Sequence, residues 1–186
     1  MTKERPTLTP TSAMLLSVLF DLVRDGEFVS EFAAEKVAYF LQRFGAKKYF
    51  KLEFQPKFYG PYSGKVKRVL YYLNGSYITG YSSMDKKPFE ELGLMTDGEV
   101  EVNAFLDENI DCKQIVEKTK KFLSRYYSPF SLELLSTVDF IIQEKKVSSF
   151  EEITEEINQW SSRKSTMFNK PQYIQKAVNH LQSALG

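Results

Sequence analysis

Apolar residues recur at helical spacing along nearly the whole chain, and one window, from Tyr49 to Met95, breaks that rhythm. This contrast constrains the fold more than any other feature. A period near 3.6 builds amphipathic helices, and a period of 2 builds half-buried strands. Thr9-Pro10 opens the first helix, with Thr9 placed to cap it and Pro10 where a missing N–H costs nothing. Leu15, Val18, Leu19, Leu22 and Val23 form its apolar stripe, and Gly26 ends it. Ser30 caps a second helix whose buried face is Ala33, Val37, Phe40, Leu41 and Phe44, with Gly45 as the stop.

Inside the window, Phe50, Leu52 and Phe54 alternate with Lys51 and Glu53, which predicts a strand over Tyr49–Phe54. Phe58-Tyr59-Gly60-Pro61-Tyr62-Ser63 follows as a tight loop. Val66, Val69, Leu70 and Leu73 then mark a helix that stops at Asn74-Gly75. Tyr77–Tyr81 is rich in β-formers and Phe89–Met95 is a third strand candidate, so the three would make one small antiparallel sheet. From Gly98 the helical period returns, first with Val102, Phe105 and Leu106, then with Ile115, Thr119, Phe122 and Leu123. Ser128-Pro129 breaks the chain, and three further helical patterns after it form a C-terminal three-helix lobe. The expectation is an α+β, mainly α-helical fold of seven or eight helices. It would be a single domain over 1–186, with lobes at 7–127 and 128–186.

Composition narrows the function. A chain of 186 residues, 42% hydrophobic and 26% charged, can bury a core of its own. The single histidine, His180, cannot support a multi-histidine metal site, and the single cysteine, Cys112, cannot form an internal disulfide. There is no glycine-rich phosphate loop after a strand, no H-E-x-x-H and no Cys-x-x-Cys pair. No run approaches the roughly 18 apolar residues of a membrane span. These exclusions predict a cytoplasmic protein that is not an enzyme and holds neither cofactor nor metal.

The formal net charge of +1 conceals strong segregation. Lys47 to Arg68 carries seven basic residues against one acid, Glu53. Asp85 to Glu117 carries ten acids against three lysines. Tyr59, Tyr62, Tyr71, Tyr72, Tyr77 and Tyr81 crowd into 23 residues around Gly60-Pro61. Tyrosine offers a large amphipathic contact area at low entropic cost, which favours interfaces. Surface charge more often pairs within its own fold than meets a partner, so both readings of the charged stretches stand.

A family resemblance rests on six motifs in order. They are R-P-T-L-T-P (Arg5–Pro10), E-K-V-A-Y-F-L-Q (Glu35–Gln42), F-Y-G-P-Y-S (Phe58–Ser63), Y-I-T-G-Y (Tyr77–Tyr81), L-E-L-L-S-T-V (Leu132–Val138) and W-x-x-R-K-x-x-x-F (Trp160, Arg163, Lys164, Phe168). Together they resemble the C-terminal domain of DarG-type antitoxins, and more distantly the SocA-like or Panacea class. The resemblance implies a partner, a DarT-like toxin that uses NAD to ADP-ribosylate thymidine in single-stranded DNA. It also implies that the removal of that mark belongs to a macrodomain, acting in cis or in trans, that is not in this chain. A toxin groove that holds DNA is basic and accepts unstacked bases. The matching features here are the aromatic Tyr59, Tyr62, Tyr77 and Tyr81, the acidic Asp85, Glu90, Glu91, Asp97 and Glu99, and the pair Arg163 and Lys164. Two alternatives remain, a SocA-like adaptor for an unrelated toxin and a helix-turn-helix-like DNA-binding regulator built from Leu132–Leu185. Glu151, Glu152, Glu155 and Glu156 on the middle helix of that unit would repel phosphates, so nucleic acid is not the expected partner.

Overall fold

Capping and burial place the first two helices at the centre of the molecule, which is a computed structural model describing residues 4–82 and 86–185. Helix α1 (Pro10–Arg24) starts as expected. Thr9 and Ser12 form a reciprocal capping box, and Pro10 occupies the first turn. Every residue from Ser12 to Phe20 is buried, so α1 is surrounded rather than one-sided. Helix α2 (Glu31–Leu41) is capped by the Ser30 hydroxyl, which accepts from the Ala33 N–H, and it too is buried from Phe32 to Leu41. It continues through a π-type turn, Gln42–Ala46, in which Gly45 takes a φ of 122°, into the single turn of α3 (Lys47–Phe50).

The first expected strand is displaced. Tyr49 and Phe50 lie in α3, and Lys51 adopts a left-handed φ of 50° that stops the helix. Residues 52–54 join no ladder. The Gln42 side chain takes the place of a neighbouring strand, accepting from Leu52 N–H at 2.9 Å and donating to Leu52 C=O at 2.8 Å. The strand itself is β1 (Gln55–Lys57), paired antiparallel with β2 (Gly60–Tyr62) across the two-residue turn Phe58-Tyr59. After α4 (Lys65–Leu73), β3 (Ile78–Thr79) pairs with β4 (Gly93–Leu94), inside the two windows expected for them. The one expected sheet is therefore two separate two-stranded sheets.

Helices α5 (Glu99–Glu108) and α6 (Ile110–Leu123) cover α1. Helix α7 (Pro129–Lys145) packs against α2 and β2 on one side and against α8 (Phe150–Trp160) and α10 (Pro171–Leu185) on the other. The short α9 (Ser162–Met167) joins α8 to α10. The mainly helical α+β class holds, and the helices beyond the expected eight are the short pieces α3 and α9. Apolar burial is continuous from Ala13 on α1 through Val138 on α7 to Leu181 on α10. No helix among the described residues is long and apolar enough to cross a membrane.

Candidate functional site

Four of the six sequence motifs meet beneath the β1–β2 hairpin. Gly60 opens β2 with a φ of 108°, a region that favours glycine. A Cβ there would also lie 3.2 Å from Thr137 Oγ1 and 3.3 Å from Lys36 Nζ, so the hairpin seats directly on α2 and α7. From α2, the Glu35 carboxylate accepts from the Ser63 and Gly64 N–H groups, both at 3.2 Å, just ahead of α4. The next residue, Lys36, donates from Nζ to Pro61 C=O at 2.9 Å.

From the other side, Glu133 on α7 is 1% exposed and accepts a two-pronged bond from Arg163, at 2.7 and 3.1 Å, and a third from Lys164 Nζ at 3.0 Å. The Arg163 guanidinium lies 5.0 Å from the Phe58 ring centre and 4.9 Å from that of Tyr59. Trp160 Nε1 donates to Lys57 C=O at 3.0 Å and ties α8 to β1. Thr137 Oγ1, fully buried beside Gly60, has no hydrogen-bond partner among the described residues.

Burial dominates the electrostatics of this cluster. Desolvation pushes Glu35 up to about 7, against the opposing pull of the two backbone N–H bonds and Lys36. Desolvation likewise pushes Lys36 down to about 7, resisted by Glu35. Lys164 is lowered by burial and supported by Glu133.

Beside the hairpin lies a cleft of about 400 Å³. Lys57 lines it from β1, Tyr59 from the turn, Tyr62 from β2, Glu31 and Glu35 from α2, and Lys67 from α4. Phe58 stands at its mouth, 57% exposed, and Tyr62 is 40% exposed. The Tyr59 ring is wedged edge-on between Phe32, Phe58 and Phe89.

The remaining two motifs form a second cluster. Arg5, ahead of α1, bonds Asp97 at 2.6 Å, Glu101 at 3.1 Å and Ser76 C=O at 3.1 Å, and lies over the Tyr77 ring. Tyr77 donates its hydroxyl to Glu101 at 2.7 Å. Glu99 pairs with Arg24, Asp107 with Lys113 at 2.8 Å and Asp111 with Lys48 at 2.7 Å. Much of the acidic stretch is thus matched by cations of its own chain.

The sequence candidates therefore scatter. Tyr59, Tyr62 and Arg163 come together at the hairpin. Lys164 is fully buried below them, and Tyr77 and Tyr81 are buried with their hydroxyls on Glu101 and Glu31. These three side chains are buried, which corrects their place among surface contacts: Lys164 meets Glu133 inside, and the two tyrosines send their hydroxyls outward to partly exposed carboxylates. Asp97 and Glu99 sit in the ion pairs above, Glu90 and Glu91 are exposed, and Asp85 lies outside the described residues. Cys112 is buried, and burial pushes its thiol up, away from reactivity. Among the described residues no group of three or more His, Cys, Asp or Glu could hold a metal. Periodicity missed Glu35, Lys36, Glu133 and Thr137, because it reads charged and polar residues on a helix as its solvent face. Their signal was their place inside the motifs.

This geometry can be set beside known proteins. No protein-family model matches the chain. Over 164 residues it is 30% identical to a protein of Thermus aquaticus. That relative is named DNA ADP-ribosyl glycohydrolase. The match takes in 88% of this chain but 44% of the relative, so the chain spans less than half of that protein's length. The similarity supports a distant DarG-type relationship.

Proposed function

We propose that this chain is the toxin-binding part of a DarG-type antitoxin, and that it neutralises a DarT-like DNA ADP-ribosyltransferase by occupying its DNA groove. The observation that carries the reading is the relationship to a DNA ADP-ribosyl glycohydrolase over most of this chain and less than half of that protein. In this reading the glycohydrolase activity belongs to the part of the relative outside the match. The ordered motifs support the same reading, since they converge on two clusters that shape the surface.

The acidic face suits a basic groove. Glu90 and Glu91 are exposed, and Val100 is 75% exposed between Glu99 and Glu101 at the start of α5. An exposed apolar side chain in an acidic turn of helix offers a partner both contact and charge. The test is to titrate the chain into a complex of toxin and labelled single-stranded DNA. Release of the DNA at saturation is the expected result, and DNA that stays bound removes the groove-filling mechanism. Charge reversal by Glu90→Lys with Glu91→Lys should weaken toxin binding while leaving the thermal melt unchanged. Equal affinity would move the contact surface elsewhere.

A further inference from the structure

The cleft beside the hairpin combines features that antitoxin action does not call for. Its basic side is assembled from three separate elements, Lys57 on β1, Lys67 on α4 and Lys86 after β3. Lys57 and Lys67 make no ion pair with any described residue, while Lys86 donates to Gly80 C=O at 2.7 Å and lies 3.8 Å from the exposed Glu90 carboxylate, a long pair that an entering phosphate would compete with. Its aromatic side is Phe58 from the turn and Tyr62 from the end of β2, both exposed. A phosphate needs cations and a base needs a flat ring, and here the two lie within one concavity. The two carboxylates that share the cleft are already occupied. Glu31 accepts from the Tyr81 hydroxyl at 2.7 Å and Glu35 from two backbone N–H groups. The upward push on Glu35 further reduces the negative charge that an entering phosphate would meet.

We propose that this cleft binds one nucleotide unit, its base against Phe58 and Tyr62 and its phosphate on Lys57, Lys67 and Lys86. A bare anion would leave the rings unused, and an apolar ligand would leave the lysines unused. The net charge of +1 hides this site, because Lys57 and Lys67 come from the basic stretch and Lys86 from within the acidic one, and the total cancels them against acids elsewhere in the chain. The unit is either a free nucleotide or one residue of a single strand, since both present the same base and phosphate.

Calorimetric titration separates these sources with three probes: 5′-AMP, a short single-stranded DNA and inorganic phosphate. The nucleotide or the strand should bind at least tenfold more tightly than phosphate. Lys67→Glu and Phe58→Ser should each weaken that binding about tenfold, the scale of one stacking contact. Lys67→Glu should match the wild type in a circular dichroism melt; Phe58 also packs on Tyr59 and Arg163, so its variant is compared at a temperature where its own melt shows it folded. A strand that binds more than tenfold better than AMP identifies single-stranded nucleic acid as the source, and comparable affinities identify a free nucleotide. No binding of either at millimolar concentration, phosphate binding as tightly as AMP, or unchanged affinity in both variants overturns the proposal. No toxin enters the experiment, so its outcome is independent of the antitoxin reading.

Discussion

Two clusters of charged side chains in this molecule use the same residue types and obey different physics. Beneath the hairpin, Glu35, Lys36, Glu133 and Lys164 are each at most 4% exposed, and their bonds link α2, α7 and α9 to the turn. Around α5, Arg5, Arg24, Asp97, Glu99 and Glu101 pair at the surface. In the first cluster, losing a partner strands a charge away from water, and in the second, water replaces the partner. Similar hydrogen-bond lengths in the two places therefore stand for different energies. The hairpin cluster specifies where the chain must go, and the α5 cluster tunes what the surface presents.

The largest test of that contrast is Glu133→Ala. It leaves Lys164 buried and Arg163 half-buried without their carboxylate, so it should destabilise the fold by about 3–5 kcal/mol in urea denaturation. A loss below about 1 kcal/mol would place the buried cluster on the same footing as the surface one.

The second test uses pH. Glu35 is raised from 4.5 to about 7, so between those values the folded chain keeps a proton that the unfolded chain releases. Its contribution to stability is fully present below 4.5 and is lost as the pH rises through 7. At roughly 1.4 kcal/mol per unit this amounts to about 3 kcal/mol. Lys36, lowered to about 7, acts in the opposite sense: the folded chain prefers the neutral amine, so its contribution grows as the pH rises from 7 toward 10.5. Urea titrations of the wild type and Glu35→Gln across the acid range should show the wild type losing ground to the variant as the pH rises. A pH-independent difference would show that Glu35 ionises as it would at the surface.

The third test concerns the seat of the hairpin. Gly60→Ala meets both a positive φ and a close approach to Thr137 and Lys36, and should cost about 1–3 kcal/mol in the same denaturation assay. A neutral substitution would mean that the turn can shift without disturbing the cluster.

How legible each region was in the sequence follows from the same contrast. Caps and apolar stripes are local signals, so Thr9 and Ser30 marked helix starts that the structure keeps. The strand at Tyr49–Phe54 failed because its partner is a side chain, Gln42, which no alternation pattern reveals. The buried cluster was illegible for a related reason. Glu35 pairs with residues 28 and 29 positions away, and Glu133 with residues 30 and 31 away, so only folding brings them together. The acidic stretch was visible as composition, but its partners Arg5, Arg24 and Lys48 lie outside it, and their pairing removes much of the charge that the count suggested.

The smallest expected effect is at the surface, and it decides whether the α5 cluster is free to serve a partner. Glu99→Gln removes the pairing with Arg24, whose side chain is more than half exposed. Water can solvate the freed guanidinium, so the loss should stay below about 1 kcal/mol and shrink further at high salt. Toxin affinity, measured on the same variant, should fall by more than the stability change accounts for, because a carboxylate spent on a weak internal pair is available to a stronger external cation. Were stability to drop by several kcal/mol instead, the acidic face would be as much a part of the framework as the hairpin cluster. Its charges would then hold α5 against α1 rather than meet a groove.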